Sequence, residues 1–308
     1  MNAGHNLDTD EYPISTSPTD GPPPRVASAT VRADLAGLSD VGRVRPNNED
    51  HFLVVRFDRA LQTLLTNLPE GLVPPRAEEV GYGMVVADGM GGMAAGEVAS
   101  RLAIRTLVDL ALSTPDWVLK KGTPEIERVM QRMAERYRRV DEALSEEAQA
   151  DPGLSGMGTT MTLACSIGSD LVVAHVGDSR AYLMRDGELH LLTRDHTLVQ
   201  ELVDRGVVRP ENASTHPFRH VLTRYLGGGK GNIITEDVQR VSLADGDQLL
   251  LCTDGLTDMV DAAAIKTVLR SSASADGACQ ALVDLALQQG GRDNVTVVLA
   301  RYRFAPGP

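Results

Sequence analysis

Five aspartates in the 308-residue chain stand where an apolar segment meets a turn. Asp88 closes the apolar run of GMVVADGMGG, Asp178 that of VVAHVGDSR and Asp254 that of LLLCTDGLTD, while Asp293 precedes the run in GGRDNVTVV and Asp50 opens the one in NNEDHFLVV. Strand ends hold side chains more firmly than mobile loops, and aspartate is a short, rigid oxygen donor. Brought together, such carboxylates repel one another, and the counter-charge that suits an all-oxygen set is a hard divalent cation, Mg²⁺ or Mn²⁺. One Asp-Gly is an ordinary turn signal, and spacing alone does not show that five such residues converge. Zinc is disfavoured, because the seven histidines are scattered and no HExxH pair occurs. Cys165, Cys252 and Cys279 are odd in number, form no CxxC and sit in apolar contexts. They read as buried, reduced thiols of a cytosolic protein.

The elements that would carry these residues follow from hydrophobic period. Strands are expected at Leu35–Leu38, His51–Phe57, Tyr82–Ala87, Thr159–Ile167, Leu171–Val176, Arg180–Met184, Glu188–Leu192, Thr235–Val241, Gln248–Cys252 and Asn294–Tyr302. Helices are expected at Gly96–Leu112, Pro124–Ala148, Thr197–Arg205, Ala262–Leu269 and Ala275–Gln289. In the second helix Ile126, Val129, Met130, Met133, Tyr137, Val140 and Leu144 make one apolar stripe that must cover something apolar. Strands come in consecutive groups separated by helix pairs, which points to antiparallel sheets flanked by helices, an α+β layered sandwich. Residues 1–32, rich in Pro, Ser, Thr and Asp, read as a flexible tail, and the rest as one domain over 33–303. Residues 58–81 read as a surface insertion, a short helix at Leu61–Leu68 followed by a Pro-rich loop.

Composition narrows the function classes. The formal net charge of −12 disfavours nucleic acid and anionic membrane surfaces as partners. No apolar run approaches the roughly 20 residues of a membrane span, and no basic segment followed by an apolar stretch marks a secretory leader. The expected location is cytoplasmic and the expected state monomeric.

Six runs occur in a fixed order: SDVGRVRPNNEDHF, VADGMGGMAAGEVAS, GMGTTMT, VGDSRAYLMRDGEL, CTDGLTD and GGRDNVTVV. Together they resemble the bacterial branch of the metal-dependent type 2C serine/threonine protein phosphatases, over roughly residues 33–302. The resemblance implies a four-layer α-β-β-α sandwich with two central antiparallel sheets. It implies hydrolysis of phosphoserine and phosphothreonine by in-line attack of a water bridging two Mn²⁺ or Mg²⁺ ions, in opposition to bacterial serine/threonine kinases. Carried over by motif, Asp50, Asp88 and the Gly89 carbonyl match ligands of the metal pair, and Asp254 and Asp293 match the carboxylates of its other member. Asp178 matches a position that, with the Asp254 equivalent, helps hold a weaker third ion. Glu49 matches the acidic residue that orients the attacking water, and Arg45 the arginine that clamps the phosphate.

Two departures stand out. Met90 and Met93 occupy the positions where relatives place a histidine, so the acid that protonates the leaving group is unassigned; His196 is one candidate, though a histidine at a helix start is more often a cap or packing residue, and metal-bound water is the alternative donor. The second is the 58–81 insertion. Residues 206–234 match a flap beside the metal centre, in which Arg209, Arg219, Arg224 and Lys230 would meet phosphate-bearing proteins. Two rivals remain: Gly89–Ala94 fits the G-x-G-x-x-A dinucleotide fingerprint, and a pseudophosphatase could keep the fold without turnover.

Overall fold

The computed structural model describes residues 31–69, 71–91, 95–113, 123–228 and 238–304. In chain order the elements are β1 (Val31–Asp40), β2 (Asp50–Gln62), β3 (Arg76–Met90), α1 (Ala95–Ser113), α2 (Thr123–Ala150), β4 (Gly158–Thr159), β5 (Met161–Ile167), β6 (Asp170–Val176), β7 (Arg180–Arg185) and β8 (Glu188–Leu191). There follow α3 (Leu198–Asp204), β9 (Val238–Ser242), β10 (Gln248–Cys252), α4 (Asp254–Thr257), α5 (Ala262–Ser271), α6 (Ala275–Gln288) and β11 (Val295–Phe304). One sheet runs β1-β11-β10-β7-β8, the other β2-β3-β5-β6-β9 with β4 on the end of β3. Every pairing is antiparallel. That removes the dinucleotide reading of Gly89–Ala94, which needs a parallel βαβ unit.

Three apolar layers separate four layers of structure. Met84, Val86, Leu251 and Val298 fill the space between the sheets. Val85, Leu163 and Val172 pack against α1 and α2, and Leu250, Val297 and Leu299 against α5 and α6. Because both faces of the central strands are covered, they read as continuous apolar runs rather than alternating ones. The α2 stripe does what its period requires: Met133, Tyr137, Val140 and Leu144 are buried, and the Tyr137 hydroxyl donates to the Ala174 carbonyl of β6 at 2.8 Å. None of the helices among the described residues is long and apolar enough to cross a membrane.

Two expectations are corrected. Val31 and Arg32 are not part of a tail, since β1 starts at Val31 and pairs through to Phe304; residues 1–30 lie outside the described residues. There is no helix at Leu61–Leu68. Instead β2 and β3 continue as one hairpin arm, with Asp58 opposite Val80 and Gln62 opposite Arg76, and irregular chain at 63–69 and 71–75. The leucine spacing there mimics a helical stripe, but Leu64 and Leu65 are exposed and cover no apolar surface, so period alone misled. The three cysteines are unpaired, and burial pushes the thiols of Cys165 up to about 11 and of Cys252 and Cys279 up to about 12.

Candidate metal centre

The two sheets deliver their aspartates to one end of the sandwich. Asp50 and Asp88 are register partners, the first residue of β2 opposite the far end of β3. Asp254 starts α4 directly after β10, Asp293 lies in the turn before β11, and Asp178 in the β6–β7 connection. Asp88, Gly89, Asp178, Asp254 and Asp293 line one cavity of about 620 Å³, together with Arg45 and Glu49. Asp50 lies behind that wall, only 4% exposed.

The local chemistry explains why each side chain is where it is. The Asp88 carbonyl accepts from the Thr160 N–H (2.9 Å) and the Thr159 hydroxyl (2.8 Å), and its own N–H donates to Thr160 Oγ1 at 3.1 Å. The Thr253 hydroxyl donates to Asp50 Oδ2 at 2.8 Å, holding the carboxylate of one sheet against the strand end of the other. A Cβ on Gly89 would stand 2.0 Å from the Gly96 carbonyl oxygen and 2.8 Å from that of Glu49, so only glycine admits this approach of α1 to β3.

Asn294 ties the β1–β2 loop to the site. Its Nδ2 donates to the carbonyls of Val41 and Asn47, both at 2.9 Å, and its Oδ1 accepts the Glu49 N–H at 2.8 Å. On that loop Arg45 Nη2 donates to Asp293 Oδ2 at 2.7 Å. Gly255, at the start of α4, has no room for a side chain either: its Cβ would meet the Asn294 carbonyl oxygen at 1.9 Å.

Electrostatics give the site its character. Burial raises the Asp50 carboxyl to about 7, with Asp254 and Asp293 adding to the rise. Burial likewise lifts Asp88 well above the ordinary range, with Asp50, Asp254, Asp178 and Asp293 contributing in that order. Asp178 is lifted by burial, then by Asp254 and Asp195. Glu49 rises for the same leading reason, although Arg45 opposes it. That four of the five aspartates line one cavity with Asp50 directly behind it is the convergence that spacing could not show.

A cation fits this set. Asp50 Oδ1 is buried without a hydrogen-bond partner among the described residues, the donors are all oxygen, and the one ion pair that Asp293 makes is with Arg45. Buried carboxylates need such compensation, and hard divalent ions supply it.

Sequence reasoning missed His220 and Asp258. His220 faces Asp254 Oδ2 through Nδ1 (3.6 Å) and Asp258 Oδ2 through Nε2 (3.2 Å), and these carboxylates raise its pKa, Asp254 leading. The ligand atoms of the three residues lie within 4.8 Å of one another. His220 sits in irregular chain with no periodic signal to place it, and Asp258, one turn after Asp254, was the readable hint. His196 is not at the cavity: it is buried, its ring stacks on His175 at 4.9 Å, and its Nδ1 accepts the Gly177 N–H at 3.1 Å.

The flap expectation is divided. Arg219 lines the cavity, Arg224 turns to His196 Nε2 at 2.7 Å, Arg209 is exposed elsewhere on the surface, and Lys230 lies outside the described residues.

Comparison with known proteins agrees with this architecture. The family model described as Protein phosphatase 2C matches residues 76–288. The chain is 40% identical over 275 residues to the serine/threonine protein phosphatase PstP of Mycobacterium tuberculosis, covering 89% of this chain and 46% of that protein, so it spans under half the relative's length. It is 37% identical over 217 residues to the serine/threonine phosphatase stp of Listeria welshimeri, covering 70% of this chain and 82% of that one. A crystal structure of the catalytic domain of PstP in complex with two manganese ions superposes with a TM-score of 0.69 at 34% identity, covering 89% of this chain and all (100%) of that one. With a family model over most of its folded length and this fold beneath it, the chain belongs to the protein phosphatase 2C family.

Proposed function

We propose that the protein hydrolyses phosphoserine and phosphothreonine on proteins, opposing serine/threonine kinases, with Mn²⁺ or Mg²⁺ as cofactor. The observation that carries this reading is the cluster of carboxylates gathered at one cavity wall, Asp50 and Asp178 buried, whose ion pairs among the described residues are Arg45 with Asp293 and His220 with Asp254. Asp50, Asp88, the Gly89 carbonyl, Asp254 and Asp293 would hold a pair of ions, and Asp178 with Asp254 a weaker third. When bound, such a pair neutralises phosphoryl oxygens and makes water a stronger nucleophile for in-line attack on phosphorus.

The remaining work falls to the chain's own groups. The Arg45 guanidinium, half-exposed at the cavity mouth, offers a fork for two phosphoryl oxygens, exchanging its bond to Asp293 for the substrate. Glu49, whose backbone is pinned at both ends by Asn294 and Gly89, presents a carboxylate that orients the attacking water. Thr253, Thr160 and Asn294 keep the strand ends in register so that the carboxylates stay in place as their charge is compensated. None of the cysteines lines this cavity, and their raised thiol pKa values leave them without a nucleophile's role.

The test is hydrolysis of para-nitrophenyl phosphate and of a phosphothreonine peptide by the purified chain with Mn²⁺, with Mg²⁺ and after complete chelation. Turnover of both substrates with either ion is expected. A protein that binds Mn²⁺ yet turns over neither substrate would support the pseudophosphatase reading instead.

A further inference from the structure

Three arginines line the cavity, and they are not equivalent. Arg45 is engaged by Asp293 at 2.7 Å. Among the described residues no side-chain hydrogen bond or close ion pair holds the guanidinium groups of Arg219 and Arg292, although the Arg219 charge acts on the nearby Asp258 and His220. The two arginines come from separate segments of the chain. Arg219 precedes His220, whose ring reaches Asp254 and Asp258 and so ties this segment to the cavity wall. Arg292 stands beside Asp293 on the turn between α6 and β11, a turn braced by the Arg43 N–H on the Gly291 carbonyl (2.7 Å) and the Gly291 N–H on that of Ala286 (3.0 Å). Both backbones are therefore held, while neither guanidinium is closed off by a hydrogen bond or close ion pair among the described residues.

The cavity is also larger than one phosphoryl group requires. At about 620 Å³ it falls in the range that accommodates a drug-sized ligand, leaving room for residues that flank a phosphoamino acid. A body carrying a net charge of −12 repels an acidic partner, and a guanidinium fork is the side chain best matched to a carboxylate or a phosphate.

We propose that Arg219 and Arg292 form an anion subsite on the rim of the cavity, one that engages a second negative group, carboxylate or phosphate, on the substrate chain beside the phosphoamino acid. The subsite rests on the phosphatase reading above and adds a substrate class to it: phosphoproteins whose phosphorylated residue lies in acidic or multiply phosphorylated sequence.

The experiment uses the full chain with Mn²⁺ and three phosphothreonine peptides that differ only in the flanking residue: glutamine, glutamate, or a non-hydrolysable phosphonate analogue of phosphoserine. The expected kcat/KM is about tenfold higher for the anionic peptides than for the glutamine peptide, the scale of one charge-assisted contact, and the advantage shrinks as salt screens it. The double variant Arg219→Gln, Arg292→Gln should bring the three peptides to within about twofold of one another. The double lysine variant should retain part of the preference, and Arg105→Gln, a charge change on α1 beside Asp109, should retain all of it. A larger gain with glutamate names carboxylate as the anion, a larger gain with the phosphonate names phosphate, and either supports the subsite. Equal kcat/KM for all three peptides in the parent protein, or a preference that survives in the double glutamine variant, would overturn it. Failure to hydrolyse any of them, or para-nitrophenyl phosphate, would strike the phosphatase reading itself.

Discussion

Asp50→Asn should make the metal-free protein more stable at neutral pH, and by an amount that grows with pH. Asp50 is nearly fully enclosed, one of its oxygens has no hydrogen-bond partner among the described residues, and its carboxyl is raised from an ordinary 3.8 to about 7. The folded state thus keeps the proton to higher pH than the unfolded chain does. Its favourable contribution is complete below about pH 4 and is lost as pH rises through about 7. Three pKa units correspond to ~4 kcal/mol, and for a domain of this size that amounts to a shift in Tm on the order of 10 °C. Asparagine can still accept the Thr253 hydroxyl bond seen at 2.8 Å, carries no charge, and also removes one of the carboxylates that raise Asp88. The assay is thermal unfolding by circular dichroism in chelator, parent beside variant, from about pH 4.5 to about pH 8. Taking the difference between the two cancels the titrating groups that Asp50 does not influence, and Asp88, which it does, shifts the difference in the same direction. The curves should nearly coincide in acid and separate towards neutrality, with the variant higher; added Mn²⁺ should then stabilise the parent more than the variant. A difference in Tm that stays flat across this range would refute the claim that Asp50 is a strained, uncompensated carboxyl.

Complete removal of divalent cations should abolish hydrolysis of para-nitrophenyl phosphate, reversibly on adding Mn²⁺; turnover persisting in metal-free protein would dismiss the cation-dependent mechanism. Asp178→Ala should slow turnover while the purified protein still binds two Mn²⁺ per chain by elemental analysis, and a loss of those two would show that Asp178 serves the central pair. Arg45→Ala should lower kcat/KM about tenfold or more, chiefly through KM if the fork holds bound substrate and transition state alike, whereas parental values of both constants would leave Arg45 as a partner of Asp293 only. Tyr137→Phe removes the buried bond to the Ala174 carbonyl and should cost about 1 kcal/mol in urea unfolding; no measurable change would mean that α2 is held by its apolar stripe alone.

Much of this molecule was readable before any coordinates, and for physical reasons. Strands buried on both faces must be apolar throughout, so GMVVA, LVVAHV and NVTVV announced themselves, and the α2 stripe of Met133, Tyr137, Val140 and Leu144 could only be a face laid on a sheet. The aspartates at the ends of those strands were conspicuous because charge seldom sits there without purpose. What local sequence lacks is any record of distance between segments remote along the chain. The pairing of Asp50 with Asp88, the Thr253 hydroxyl on Asp50, and Asn294 stitching Val41, Asn47 and Glu49 together join residues up to 253 positions apart, and only packing of the two sheets creates them. The same limit explains the failures. The leucines of Leu61–Leu68 have helical spacing, but Leu61 is taken into β2 while Leu64, Leu65 and Leu68 are exposed in irregular chain with no surface to cover. Sequence offered His196 as a candidate and passed over His220, yet the fold buries the first ring against His175 and sets the second between Asp254 and Asp258. Residue type states what chemistry a side chain can do; which partners it meets is decided by the tertiary structure, because burial and charge act through space rather than along the chain.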